Sequence, residues 1–323
     1  MAEVCLPWRH VRTRTGRDNP AVSLKSHARW LVALMLLLPA LQGVNYLVAR
    51  LAPGVIAPNT LAALRWLFAG SIFCFLARTE LWRERRVVLA DWRHTLVLGA
   101  LGMWICGAWV YLAGQTTSAT NMALIYALSP ILIALIAHFW LKEPFNWLQG
   151  CGVALALAGV LHVVLKGQWA DLARVRFARG DAWIFAASVC WALFSILLKR
   201  WTTPLSATAR LGPISFAGVL VLLPFVIWEA VTGPLPTFSL TGVGLAFMAA
   251  LLPGYAAYLV YALLLRDLGA ARVGVVLYLG PPYVAVMAWI FLGEPIHGYH
   301  VVGLALIAPG IYLVNRRVRT RRR

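Results

Sequence analysis

Arg65 is the only strong charge well inside an apolar stretch of this chain. A guanidinium there could grip a carboxylate through paired N–H donors or brace neighbouring carbonyls. An intramembrane arginine costs roughly 2.5–3.5 kcal/mol on insertion scales, so it marks a function by default, with outward snorkelling as the bland alternative. Glu143 and Glu294 each precede a proline, Pro144 and Pro295, at the ends of apolar stretches. They could carry protons or form ion pairs that open and close gates, with Lys142 adjacent to the first, although closeness to water favours interfacial capping. Ser129-Pro130 and Gly280-Pro281-Pro282 interrupt two further apolar stretches. A helix broken inside a membrane frees backbone groups that persist only if they line a cavity or find partners, and a packing kink is the competing account. Glu294, His297 and His300 have a spacing that could gather a metal, but Gly298 between the histidines favours a plain loop, and neither a metal nor a cofactor is expected. The chain has no P-loop, GxSxG or HExxH motif. No enzyme activity and no self-contained ATP-driven pump are therefore expected.

The elements that must position these residues follow from composition. The chain is 61% hydrophobic and 12% charged, with a mean hydropathy of +0.77. A soluble domain carries about twice that charge, so the expectation is an all-α membrane protein. At about 1.5 Å per residue, some 20 apolar residues cross the bilayer. Ten segments qualify or nearly so: Trp30–Ala49, Ala57–Ala77, His94–Gly114, Ser118–Leu141, Phe145–Leu165, Asp181–Leu198, Leu211–Val231, Thr241–Leu265, Ala271–Leu292 and Tyr299–Val314. A net charge of +18 would suggest nucleic acid in a soluble chain. Here Lys and Arg cluster in tails and short loops, so the expected partners are the lipid bilayer and a small-molecule substrate, with no nucleic acid; a homodimer is left open. Five cysteines without CxxC spacing, four of them in apolar runs, exclude a disulfide framework. Residues 1–29 read as a disordered basic cytoplasmic tail rather than a cleaved signal peptide, and 316–323 as a second basic tail.

The back half repeats the front. Ala119–Val164 aligns with Ala270–Asn315 at a constant offset of 151 residues, with 13 of 46 positions identical. Pro130 meets Pro281, Glu143-Pro144 meets Glu294-Pro295, and Gly152 and Gly159 meet Gly303 and Gly310. Each copy holds five spans, residues 30–166 and 181–315 with an outer loop at 167–180, so the copies point opposite ways. Counting Lys and Arg with the N-terminus inside gives 23 on the inner side and 5 on the outer side, which puts both termini in the cytoplasm. The outer loop Lys166–Gly180 is the exception, being net basic, and could hold an interfacial helix at Trp169, Leu172, Val175 and Phe177.

The repeated blocks, each a proline-interrupted span followed by Leu-x-Glu-Pro, together with Leu64-Arg65-Trp66, resemble the EamA family of the drug/metabolite transporter superfamily over about residues 30–316. The resemblance implies a secondary transporter of ten helices in two inverted five-helix repeats, with a central cavity lined by spans one, three, four, six, eight and nine. It implies export of amino acids or related small metabolites. On those spans the cavity candidates are Gln42, Asn45, Trp104, Tyr126, Ser129, Pro130, Ser188, Trp191, Ser195, Tyr258, Tyr278, Pro281 and Pro282. Gln42 and Trp191 are counterparts when the Arg50 and Lys199 ends are aligned. An amide in hydrocarbon must find partners, which turns Asn45 inward, whereas Tyr111 and Tyr255 near span ends read as interfacial belt. A nucleotide-sugar or phosphorylated-sugar carrier would want several buried cations, and only Arg65 is available. A membrane enzyme or scaffold would want a polar catalytic cluster or a soluble domain, and a channel a charged ring. Location in a bacterial inner membrane is expected.

Overall fold

The computed structural model describes residues 20–141, 147–169, 178–233, 239–268 and 279–315. Among these residues every regular element is helical. In chain order the elements are α1 (Pro20–Leu51), α2 (Pro58–Leu76), α3 (Arg78–Arg83), α4 (Arg85–Ala90), α5 (Trp92–Leu98), α6 (Cys106–Ala113), α7 (Ala119–Tyr126), α8 (Ser129–Leu141) and α9 (Trp147–Val164). They continue with α10 (Arg179–Arg200), α11 (Ala207–Thr232), α12 (Leu240–Ala249), α13 (Ala257–Leu268), α14 (Gly280–Leu292) and α15 (Gly298–Asn315). Eight helical stretches are long and apolar enough to cross a membrane, and Gly280–Leu292 and Gly298–Leu313 are shorter apolar helices. The chain is thus a multi-pass membrane protein.

Two differences from the sequence expectation concern winding. α1 begins at Pro20, ahead of the expected Trp30, because proline suits a first helical turn and the residues after it tolerate helix. The third and eighth spans are not uniform α-helices. Gly99–Ile105 joins α5 to α6, and Ala250–Ala256 joins α12 to α13, each as a stretch of π-helix. Their first residues are 151 apart, the same offset as the sequence repeat. Such wider turns tend to sit at functional sites.

Packing is dominated by two antiparallel pairs. Along α2 and α11, Gly70 faces Ser215 and Gly212 faces Cys74, so a Cβ at either glycine would meet its neighbour at 2.9 or 2.6 Å. Along α9 and α15, a Cβ on Gly159 would lie 2.9 Å from the Gly303 carbonyl, and one on Gly310 would lie 2.7 Å from that of Gly152. The glycines let the two backbones approach where any side chain would part them. α1 is flanked by α13, through Leu34, Leu38, Val260 and Leu264, and by α14, through Gly43 against Met287 and Val284.

The ends of α2 and α11 are tied to one another by carboxylates. Glu229, in the last turn of α11, accepts from the backbone N–H of Asn59 (2.9 Å) and Thr60 (3.0 Å) and from the Asn59 amide (2.7 Å) and Thr60 hydroxyl (3.1 Å). At the opposite ends, Glu80 accepts from the N–H and hydroxyl of Ser206, both at 2.6 Å. Each helix is therefore capped at its N-terminus by an acid at or just beyond the other's C-terminus, where the helix dipole favours negative charge.

Candidate functional site

α1 carries Gln42, Asn45 and Tyr46 one turn apart, so they share a face. α2 brings Arg65 to this face. Its Nη1 donates to Asn45 Oδ1 at 2.7 Å and to Tyr111 Oη at 3.2 Å, and the Tyr111 hydroxyl donates to Asn45 Oδ1 at 3.1 Å. The result is a closed triangle joining α1, α2 and α6. Arg65 is only 5% exposed, so it does not snorkel. Its guanidinium lies 4.5 Å from the ring of Trp66, and its Nε is buried without a hydrogen-bond partner. Among the described residues no carboxylate pairs with it, and it is their one buried Lys or Arg.

Tyr111 is 1% exposed and belongs to this triangle, not to an interfacial belt. Position near a span end argues for the belt, but the small neighbours Gly107, Ala108, Ala113 and Gly114 signal helix–helix contact instead.

From Tyr46 an aromatic series runs inward. Tyr46 meets Tyr126 edge-on at 6.4 Å, Tyr126 meets Trp191 at 6.4 Å, and Trp191 stacks on Phe194 at 5.3 Å. Phe194 rests on Gly102 in the first π-helical stretch, where a Cβ would lie 2.7 Å from the ring. Tyr258 meets the Phe73 ring edge-on at 6.5 Å. Tyr258 also lines a cavity of about 290 Å³ with Phe73, Glu80, Ser206, Leu211 and Tyr255. Asn45 and Tyr111 thus meet Arg65, and Tyr46, next to Asn45 on α1, opens the aromatic series to Tyr126, Trp191 and Phe194. The Gln42 amide is half-buried and has no hydrogen-bond partner among the described residues.

Other candidates are engaged locally. Ser188 and Ser195 return their hydroxyls to the carbonyls of Ile184 (2.9 Å) and Trp191 (2.8 Å), a common habit of serine in apolar helices. Pro130 has no N–H to give the Tyr126 carbonyl, and the Ser129 hydroxyl donates to it instead at 2.6 Å. That break is satisfied from within the chain. Pro281 is buried and Pro282 half-buried in the first turn of α14, where a missing N–H costs nothing. Trp104 stacks on Phe225 at 4.4 Å, in contact with Trp109. Lys142, Glu143, Tyr278, the tails 1–19 and 316–323, and residues 170–177 of the outer loop lie outside the described residues.

Glu294 acts as a clasp. It accepts from Arg50 Nε at 2.8 Å and from the N–H of Ala119, at the start of α7, at 3.0 Å, while Arg50 Nη1 donates to the Gly114 carbonyl at 2.7 Å. The ends of α1, α6, α7 and α14 are so joined. His300 is buried elsewhere. Its Nδ1 accepts from the His297 N–H and its Nε2 faces Asn121 Oδ1, both at 3.1 Å. Asn121 continues through Thr117 to Asp181, whose carboxylate accepts from the Thr117 hydroxyl at 2.6 Å. Glu294, His297 and His300 do not converge, and the described residues contain no cluster of three metal-binding side chains.

The model of the EamA-like transporter family matches residues 29–165 and again 178–316. An uncharacterized transporter of Bacillus subtilis, YyaM, is 26% identical over 280 residues, 86% of this chain and 90% of that one. A probable terminal-alkyne amino-acid exporter of Streptantibioticus cattleyicolor is 27% identical over 205 residues, 64% of this chain and 67% of that one. A solved crystal structure superposes with a TM-score of 0.56 at 19% identity, covering 89% of this chain and 96% of the other, and so shares the fold.

Proposed function

This chain belongs to the EamA-like transporter family, and on that premise we propose that it is a secondary transporter exporting amino acids or related small metabolites. It works across the cell inner membrane, with both termini cytoplasmic, by alternating access between two inverted five-helix halves. As a member of a transporter family it is no enzyme.

The observation that carries the reading is the way corresponding helices meet. The second and seventh spans, α2 and α11, pack antiparallel, as do the fifth and tenth, α9 and α15. The third and eighth spans carry their π-helical stretches at positions 151 apart. Copies related by an in-plane axis would make these contacts, and exchange of their two conformations would open the site to opposite sides. On this reading the Arg50–Glu294 clasp holds the outer side, and the cavity lined by Tyr258, Glu80 and Ser206 belongs to the inner side.

Amino acids are favoured over phosphorylated sugars because the site offers one guanidinium beside amides and aromatic rings. The name of the Streptantibioticus relative, an amino-acid exporter, supports the same class. The test compares metabolites released by cells expressing the intact chain with those from an Asn45→Ala, Trp191→Ala double variant. A small set of amino acids enriched outside only with the intact chain is expected. Identical release with both proteins inserted in the membrane would refute amino-acid export.

A further inference from the structure

We propose that Arg65, with Asn45 and Tyr111, is the receptor for a substrate carboxylate. The proposal deepens the transport reading and rests on it for the location of the site. Arg65 is 95% removed from solvent and faces no carboxylate among the described residues. Among the described residues only Nη1 is used, and the buried Nε has no partner there. A buried ion lacking its counter-charge is costly, so a ligand that supplies one gains that stabilisation on binding.

The neighbours are arranged to leave donors rather than acceptors facing the ligand. Arg65 can only donate, so Asn45 must turn its Oδ1 toward Nη1. That oxygen also accepts from Tyr111, which leaves the Asn45 Nδ2 hydrogens unclaimed among the described residues. Nε and Nη2 of Arg65 and the Asn45 amide nitrogen are thus donors without a partner among the described residues, and they suit an acceptor-only group. A planar carboxylate matches these donors through two oxygens. A phosphate dianion would need a second cation, and none is buried nearby among the described residues. One turn along α1, the unpartnered Gln42 amide can accept from an ammonium group, and the Tyr46–Tyr126–Trp191 series can receive an apolar or aromatic side chain. The site so read takes an α-amino acid by its acid end.

The full-length protein in detergent is titrated with L-phenylalanine, 3-phenylpropionate, L-phenylalaninamide and sodium phosphate, and thermal stabilisation is followed at constant chloride. The two carboxylates should stabilise the intact protein, and the amide and phosphate should not. Arg65→Gln should weaken carboxylate binding roughly 30-fold or more, as expected when a buried charge pair loses one partner. Asn45→Asp leaves Arg65 in place but puts a carboxylate where Oδ1 now lies 2.7 Å from Nη1. It should fold at least as well and still lose the carboxylate response. Equal stabilisation by acid and amide, an equal response to phosphate, no response to either acid, or an Asn45→Asp protein that binds normally would each overturn the proposal. Efflux of labelled phenylalanine and its amide from proteoliposomes is read in parallel. Acid-selective binding without efflux sinks the transport reading and leaves the receptor standing; equal efflux of acid and amide does the reverse.

Discussion

Asn45 and Tyr111 differ in how each could have been found. An amide in hydrocarbon announces itself by its cost, as Arg65 does, and both were legible in the sequence. Tyr111 was hidden because a tyrosine near a span end ordinarily belongs to the interface; only the small residues around it hint otherwise. The same distinction separates the tryptophans. Trp191 lies between Tyr126 and Phe194, whereas Trp104 packs on Phe225 and Trp109. We therefore expect Trp104→Ala to lower stability by about 2 kcal/mol through lost burial and to leave the set of exported amino acids unchanged. Trp191→Ala should alter that set, for example by lowering export of aromatic amino acids more than of alanine. Metabolite profiles of the two variants, at matched expression, check this. Tyr111→Phe removes two hydrogen bonds, each with a net value of about 1 kcal/mol, and should reduce transport more than thermal stability.

At the scale of elements, hydropathy marked ten spans, of which eight are helices long and apolar enough to cross a bilayer among the described residues, because the bilayer sets their length. It was blind to winding, since an apolar stretch reads alike as α- or π-helix. The sequence repeat was traced only over the last two spans of each half, so the paired π-helical stretches at Gly99 and Ala250 lay beyond it. The glycines of that repeat acquire a physical reason at the crossing of α9 and α15, where Gly159 approaches Gly303 and Gly310 approaches Gly152. Gly310→Leu should overpack this crossing and cost about 1–3 kcal/mol, read as a lower unfolding midpoint in detergent. Gly298→Leu is the control, since a Cβ at Gly298 meets nothing within 4 Å.

For the molecule as a whole, the acids near the span ends tie different helices together. Glu80, Glu229 and Glu294 each cap the N-terminus of a helix other than their own. Among the described residues Glu294 is the one of the three that also engages a cation, Arg50. Glu294→Gln should weaken the join between α14 and the first turn of α7, and so favour opening at that side. A cysteine placed at Asn121, buried in this structure, should then react faster with a membrane-impermeant maleimide added from outside. An unchanged rate would show that the clasp does not hold that side shut.

The two carboxylate caps between α2 and α11 constrain motion in another way. A rod fastened to its neighbour at one end can slide or splay; a rod fastened at both ends can do neither without breaking a cap. These helices must then travel as one beam, and the rest of the protein must rock about it. Labels at Ala77 and Leu205, and at Pro58 and Thr232, should keep fixed separations through the transport cycle and serve as an internal length standard for every distance that changes.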